Sequence, residues 1–243
     1  MTQTLPAAPA VPAKSLPARV AGVLFAPRAT YAAVAAQPRW LGVLLVVVGL
    51  GGAATFAFLS TDVGKAAMLD QQVRTMESFG VKIPDAAYQR MEQGLDRARY
   101  TGLAGQAVAM PLAALIVAGI ALGVFNALLG GDATFKQVYA VVVHSGVILS
   151  LSQLFGTPLA YARESLSGAT NLGVFAPFLD DNSFAAHALG SIDLFMLWWA
   201  ISLSIGLGVL YRKRTRPIAI TLIACYVAIG LVIAAIKTAV SGA

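Results

Sequence analysis

Residues 100–131 read YTGLAGQAVAMPLAALIVAGIALGVFNALLGG, a run without a single Lys, Arg, Asp or Glu. A helix needs roughly 20 apolar residues to cross about 30 Å of hydrocarbon, and this run exceeds that length. Comparable charge-free runs flank it at 40–61, 137–162 and 194–211, and another, 217–236, follows one basic turn. The chain therefore predicts an all-α, polytopic membrane helix bundle of five transmembrane helices, at about 40–60, 102–129, 137–159, 191–211 and 217–237. A short amphipathic N-terminal segment precedes the first span, and an extramembrane helical hairpin at about 62–100 joins spans one and two.

Composition supports that solvent. The chain is 58% hydrophobic and 12% charged, with mean hydropathy +0.76. Soluble domains carry roughly 25% charged residues, so this chain has too few to cover itself in water. Cys225, the single cysteine, excludes an intrachain disulfide and reads as a small packing residue. No apolar core with a small-residue cleavage site precedes Trp40, so no cleaved signal peptide is expected and the stretch from Trp40 serves as the first signal-anchor.

Charge sets the expected orientation. With five crossings and a cytoplasmic N-terminus, one face collects Lys14, Arg19, Arg28, Arg39, Lys136, Arg212, Lys213, Arg214 and Arg216 against one acid, Asp132. The basic residues of the other face lie mostly in the long 62–99 loop, interleaved with acids, where the positive-inside rule weights them lightly. The C-terminus is then extracytoplasmic. Arg39, Trp40 and the Arg212, Lys213, Arg214, Arg216 turn are the expected interface anchors. Cationic rims facing anionic lipid account for the net charge of +6 without any nucleic acid.

Residues 1–18 are Pro/Ala-rich and read as a flexible cytoplasmic tail ahead of a membrane domain at 19–238. Between Leu16 and Gln37, Val20, Val23, Leu24, Tyr31 and Val34 alternate with Arg19 and Arg28, and Pro27 breaks the run, which suits two short helices in the headgroup region. In the 62–99 loop, Leu69, Val73, Met76 and Phe79 form one stripe and Tyr88, Met91, Leu95 and Ala98 another, separated by Gly80 to Pro84. Asp85 is placed to cap the second of these helices.

Polar groups within the spans are the functional candidates, because a charge at the bilayer centre costs roughly 2.5–3.5 kcal/mol on insertion scales. Asp193 lies 18 residues before Tyr211, a rise of about 27 Å, so it belongs near the interface opposite Tyr211. Ser191 is placed to cap that helix, with Asp193 in its first turn. His144 lies eight residues past Lys136, about 12 Å into the third span. Its two readings are a neutral imidazole bonded to a neighbouring helix and a proton relay or ligand contact. Asn126, Gln153 and Gln106 are further interhelical donors, Gly119 and Gly123 read as a GxxxG packing seam, and Pro111 is expected to kink span two.

Soluble-type chemistry has no motif here: there is no Walker loop, HExxH, CxxC or GxSxG. No catalytic residue, metal site or cofactor is expected.

Three strings carry a likeness. VLFAPRATYAAVAAQPRWLGVLL (23–45), LLGGDATFKQVYAVVVHSGVI (128–148) and GSIDLFMLWWAISLSIGLGVLY (190–211) together resemble the bacterial branch of the Yip-one (Ypt-interacting protein) domain family, over about Val20 to Ile236. The resembling positions are Pro27, Arg28 and Thr30 before Pro38 and Trp40, the pair Gly130 and Gly131 before Phe135 and Lys136, and Ile192, Asp193, Leu194 and Phe195. The resemblance implies five membrane helices, a cytoplasmic N-terminus and residence in the bacterial inner membrane. Eukaryotic members resemble adaptors for small Rab-type GTPases, but their acidic DLYGP motif is absent and QPRWLG stands at the first span. Two function classes follow. One is a non-enzymatic scaffold or adaptor organising lipid, an unidentified membrane or cytoplasmic protein, or a second copy of the chain. The other is a small transporter or channel for lipid, ion or small solute, which requires His144, Asp193, Asn126 and Gln153 to face one cavity.

Overall fold

The computed structural model describes residues 15–166, 168, 170–180 and 183–241; of the expected N-terminal tail, 1–14 lie outside the described residues. Ten α-helices run in the order α1 (Leu16–Phe25), α2 (Pro27–Ala36), α3 (Leu41–Leu59), α4 (Asp62–Glu77), α5 (Asp85–Leu122), α6 (Phe135–Ser145), α7 (Val147–Ala162), α8 (Phe184–Gly190), α9 (Leu194–Leu210) and α10 (Thr215–Ser241). A π-helical turn, Gly123–Leu128, extends α5, and a 3-10 turn, Leu172–Phe175, precedes α8.

Four of these runs are long and apolar enough to cross a membrane: Leu41–Leu59, Asp85–Leu128, Phe135–Ala162 and Thr215–Val240. The remaining expected span, 191–211, is a shorter apolar helix of 17 residues, α9, about 26 Å long. Asp193 closes it at one end and the Tyr211–Arg212 turn at the other. The protein is a polytopic helical membrane bundle.

Local chemistry explains the boundaries. Pro27 enters α2 in its first turn, where the missing amide costs nothing. Thr134 and Gln137 form a reciprocal capping box at the start of α6. Span three is interrupted at Gly146, between α6 and α7, one residue beyond Ser145.

Several expectations need correction here. The second hairpin helix does not end near residue 100 but continues unbroken into span two as the 38-residue α5, because nothing between Arg99 and Gly102 breaks a helix and Pro111 is accommodated inside it. Asp85 sits in the first turn of α5 without a side-chain cap bond, since Pro84 occupies the cap position; the carboxylate still complements the helix dipole. Helices α1 and α2 pack one face against the bundle, where Val23, Thr30, Tyr31 and Val34 are buried. The reason is a polar partner that periodicity cannot reveal, Ser202 Oγ on α9, 2.7 Å from Tyr31 Oη.

The main core gathers these residues with Val43, Val47, Val138, Val141, Ile148, Leu203 and Leu207. A smaller cluster of Phe58, Leu59, Ala67, Ala98 and Ala160 lies under the hairpin. Gly119 and Gly123 are exposed, and a Cβ at either would meet nothing within 4 Å. The expected seam is instead the alanine row Ala114, Ala118 and Ala121 with Phe125, which is buried. Small residues line two faces of α5, and burial selects the one that meets α3 and α6. Cys225 is exposed on α10 rather than packed within the chain.

Candidate functional site

Two of the clefts among the described residues bear on the candidate residues. The hairpin cleft, about 640 Å³, lies between the C-terminal part of α3, α4, α5, α7 and the loop before α8. Its walls include Thr55, Met68, Ser152, Gln153, Thr157, Thr170, Asn171 and Asp193. Gln153 projects from α7 toward Gln106 of α5 across Gly51 of α3: a Cβ on that glycine would stand 2.6 Å from Gln106 Nε2 and 2.8 Å from Gln153 Oε1. Only glycine leaves room for both amides. Gln153 Oε1 is buried without a hydrogen-bond partner.

Asp193 closes the far wall as a structural group. Its Oδ1 accepts from the amides of Phe195 (2.8 Å) and Met196 (3.0 Å), and its Oδ2 from Thr170 Oγ1. Its own amide donates to Tyr226 Oη at 2.9 Å, and that hydroxyl donates to Ser191 O at 2.8 Å. The expected capping assignment is therefore revised. Asp193 itself is the cap of α9, extended at φ −93°, ψ 133°, while Ser191 ends α8 and bonds Ala188 O.

His144 faces neither cleft. It is fully buried in α6, with Nδ1 2.7 Å from Ala140 O of its own helix rather than a neighbouring one. A carbonyl can only accept, so Nδ1 carries the proton, and Nε2 is buried without a partner. The i−4 carbonyl wins because helix geometry places it beneath the ring. Asn126 stands elsewhere again, donating to Ala133 O at 2.8 Å and so closing the turn after span two.

That turn forms one wall of the turn cleft, about 510 Å³, lined by Leu129, Gly130, Gly131, Asp132, Ala133, Gln137, Leu210, Tyr211, Arg212 and Lys213. Gly130 adopts φ +67°, and Gly131 permits close approach: a Cβ there would lie 2.7 Å from the Tyr211 ring and 2.8 Å from Phe125 O. The Tyr211 ring stacks on Phe125 at 4.6 Å and is buried, with its hydroxyl unpartnered. A phenol is neutral at pH 7, so this hydroxyl is a donor. Among the expected anchors, Trp40 packs edge-on to Tyr139 at 5.1 Å, Arg39 O receives Arg19 Nη1, and Arg212 and Lys213 line this cleft. Arg214 and Arg216 are exposed beside it.

The four intramembrane candidates thus divide: Gln153 and Asp193 share the hairpin cleft, while His144 and Asn126 are held apart from it. Tyr211, Tyr226, Thr170 and Gly51 were not legible as site residues, since their partners lie far along the chain.

Comparison with known proteins fits the architecture. The sequence pattern of the Yip1 domain family matches residues 21–236. The chain belongs to the Yip1 domain family. No curated protein and no solved structure matches it. Within this Yip1 domain, the three strings that carried the resemblance occupy joints of the fold. Thr30 is buried at the α2 interface, Gly130 and Gly131 form the turn against Tyr211, and Asp193 caps α9.

Proposed function

We propose that this Yip1 domain protein is a non-enzymatic scaffold or adaptor of the bacterial cytoplasmic membrane, crossing five times, with its N-terminus in the cytoplasm and its C-terminus outside. The observation that carries this reading is the dispersal of the intramembrane polar groups. Transport needs polar side chains along one path. Here Asp193 is spent on a helix cap, Asn126 on a turn and His144 Nδ1 on its own backbone. Helix α5 also extends about 25 Å beyond the span, from Gly102 to Asp85, and the hairpin tip, which meets the C-terminal end of α10 where Lys237 lies over the Phe79 ring at 5.3 Å, leaves Met76, Val81 and Tyr88 exposed. This is reach and apolar surface suited to a protein partner.

Affinity purification of the full chain from native membranes tests the reading. Recovery of a stoichiometric partner, lost on Met76→Ser/Phe79→Ser with the thermal midpoint unchanged, supports it; recovery of the chain alone overturns it. Reporter fusions at the two termini are expected to report opposite compartments.

One observation favours the second reading, a small transporter or channel: Gln153 and Asp193 share an open cleft. Proteoliposome flux separates the two classes. A scaffold shows no solute flux, and His144→Leu leaves its partner binding intact; a transporter shows flux that is lost in Gln153→Leu.

A further inference from the structure

The turn cleft holds three formal charges on its lining, Asp132 on one wall and Arg212 and Lys213 on the other. Among the described residues the ion pairs are Lys65 with Asp96 and Arg74 with Asp70, so the charges of this cleft face each other without pairing. Tyr211, 9% exposed, also lines the cleft, and its buried hydroxyl has no hydrogen-bond partner. A buried hydroxyl without a partner forfeits about 1–3 kcal/mol, a cost that a ligand oxygen removes. The volume, about 510 Å³, falls within the roughly 300–1,000 Å³ of small-ligand sites.

We propose that this cleft binds a phosphoethanolamine group, its phosphate toward Arg212, Lys213 and the Tyr211 hydroxyl and its ammonium toward Asp132. Each half of the group answers one feature. A guanidinium forks onto phosphate oxygens, an ammonium adds a point charge, and a neutral phenol donates a hydrogen bond. A plain phosphate ester would leave Asp132 facing like charge, whereas a primary ammonium gives that carboxylate a donor. Gln137 takes no part: its side chain is spent on Thr134 and on Ala35 O. The cleft lies at the ends of span two and α9, where a phospholipid headgroup or a soluble phosphate ester can reach it. The inference stands independently of the scaffold reading.

The test uses the full chain, delipidated in detergent. Native mass spectrometry measures binding of dioleoyl phosphatidylethanolamine and dioleoyl phosphatidylglycerol, and thermal shift measures soluble O-phosphoethanolamine. Wild type is expected to favour the ethanolamine lipid. Arg212→Gln/Lys213→Gln weakens it about tenfold or more, and Tyr211→Phe several-fold, about 1 kcal/mol or less in the arithmetic of affinity. Tyr211→Phe leaves the ligand-free melting point equal or higher, because it deletes an unpaired hydroxyl rather than a contact. Asp132→Asn, an exposed turn position, keeps the protein folded and erases the preference for ethanolamine over glycerol. Response to the lipid alone assigns the headgroup as the source, and response to O-phosphoethanolamine as well assigns the group itself. Equal binding of both lipids that ignores Asp132→Asn overturns the proposal. An equal loss from Arg214→Gln/Arg216→Gln does too, since diffuse surface charge would then be sufficient.

Discussion

Span three and the last helix are both apolar runs of membrane-crossing length, yet 67% of the apolar window of Phe135–Ala162 is buried inside the protein, against 11% for Thr215–Val240. The buried span is the more polar one. It carries His144, Ser145, Ser150 and Gln153, and Ser150 Oγ reaches Val47 O of α3 at 3.2 Å. Helix α10 presents Ile220, Ile229, Val232 and Ile236 outward. Where protein surrounds a helix, polar atoms can find partners; where lipid does, they cannot, so the side chains stay hydrocarbon. Sequence hydrophobicity therefore marks contact with lipid more faithfully than depth in the core.

The largest effect expected from this contrast is at Gly206 of α9. A Cβ there would stand 2.5 Å from Val141 Cγ1 and 3.0 Å from two Tyr31 ring carbons. Gly206→Leu should destabilise by about 3 kcal/mol or more, because neither α2 nor α6 has space to retreat. Ile229→Ala on α10, where the side chain is 61% exposed, should cost within about 0.5 kcal/mol. Thermal unfolding of both variants in one detergent compares them directly; equal losses would mean the two spans do not differ in packing.

Next in size is the Asp193 cap, on which the N-terminal end of α9 depends. Asp193→Ala removes acceptors for two helix amides and for Thr170 together, and is expected to cost about 1–2 kcal/mol. Asp193→Asn should recover most of that, since an amide oxygen still accepts. Hydrogen exchange at 170–197 should rise in the alanine variant only. If exchange is unchanged, the loop before α9 is held by something other than this carboxylate.

A smaller effect is expected between α2 and α9. The Tyr31–Ser202 hydrogen bond joins residues 171 positions apart, so a double-mutant cycle of Tyr31→Phe and Ser202→Ala isolates it. A coupling of about 0.6 kcal/mol is the ordinary size for such a bond between membrane helices. Zero coupling would leave shape packing alone to hold α2 in the bundle.

These three sites also show what the sequence could and could not disclose. Span positions were legible because hydrophobic length is a local property, and Asp193 as a helix-end group followed from its distance to Tyr211. The break at Pro27 and the hairpin turn at Gly80–Pro84 were local as well. Tyr31 with Ser202, Gln106 with Gln153 across Gly51, and Tyr211 with Gly131 were not, because each pair is made by the fold between distant segments. For the same reason the stripe of α1 and α2 gives amphipathicity but not what covers it. Continuity of α5 through residue 100 was hidden by the change from a charged to an apolar pattern, which alters solvent and not backbone.

The smallest effect should come from Gly119 and Gly123. A GxxxG pair lets two backbones approach, and substitution in such a seam forces them apart. Here a Cβ at either position meets nothing within 4 Å, while Ala118 beside them is 0% exposed. Replacing both glycines by leucine should therefore cost the folded chain no more than about 0.5 kcal/mol and is expected to stabilise it, since better helix propensity and reduced unfolded-state entropy both favour the variant. Ala118→Leu, one residue away on the buried row, should cost about 1–3 kcal/mol by overpacking. Gly119 lies about 100° around the helix from Ala118, so the sign and size of the two effects report which side of α5 the bundle occupies. A loss above about 1 kcal/mol at the glycines would place the packing seam on the GxxxG face and displace the alanine row from that role.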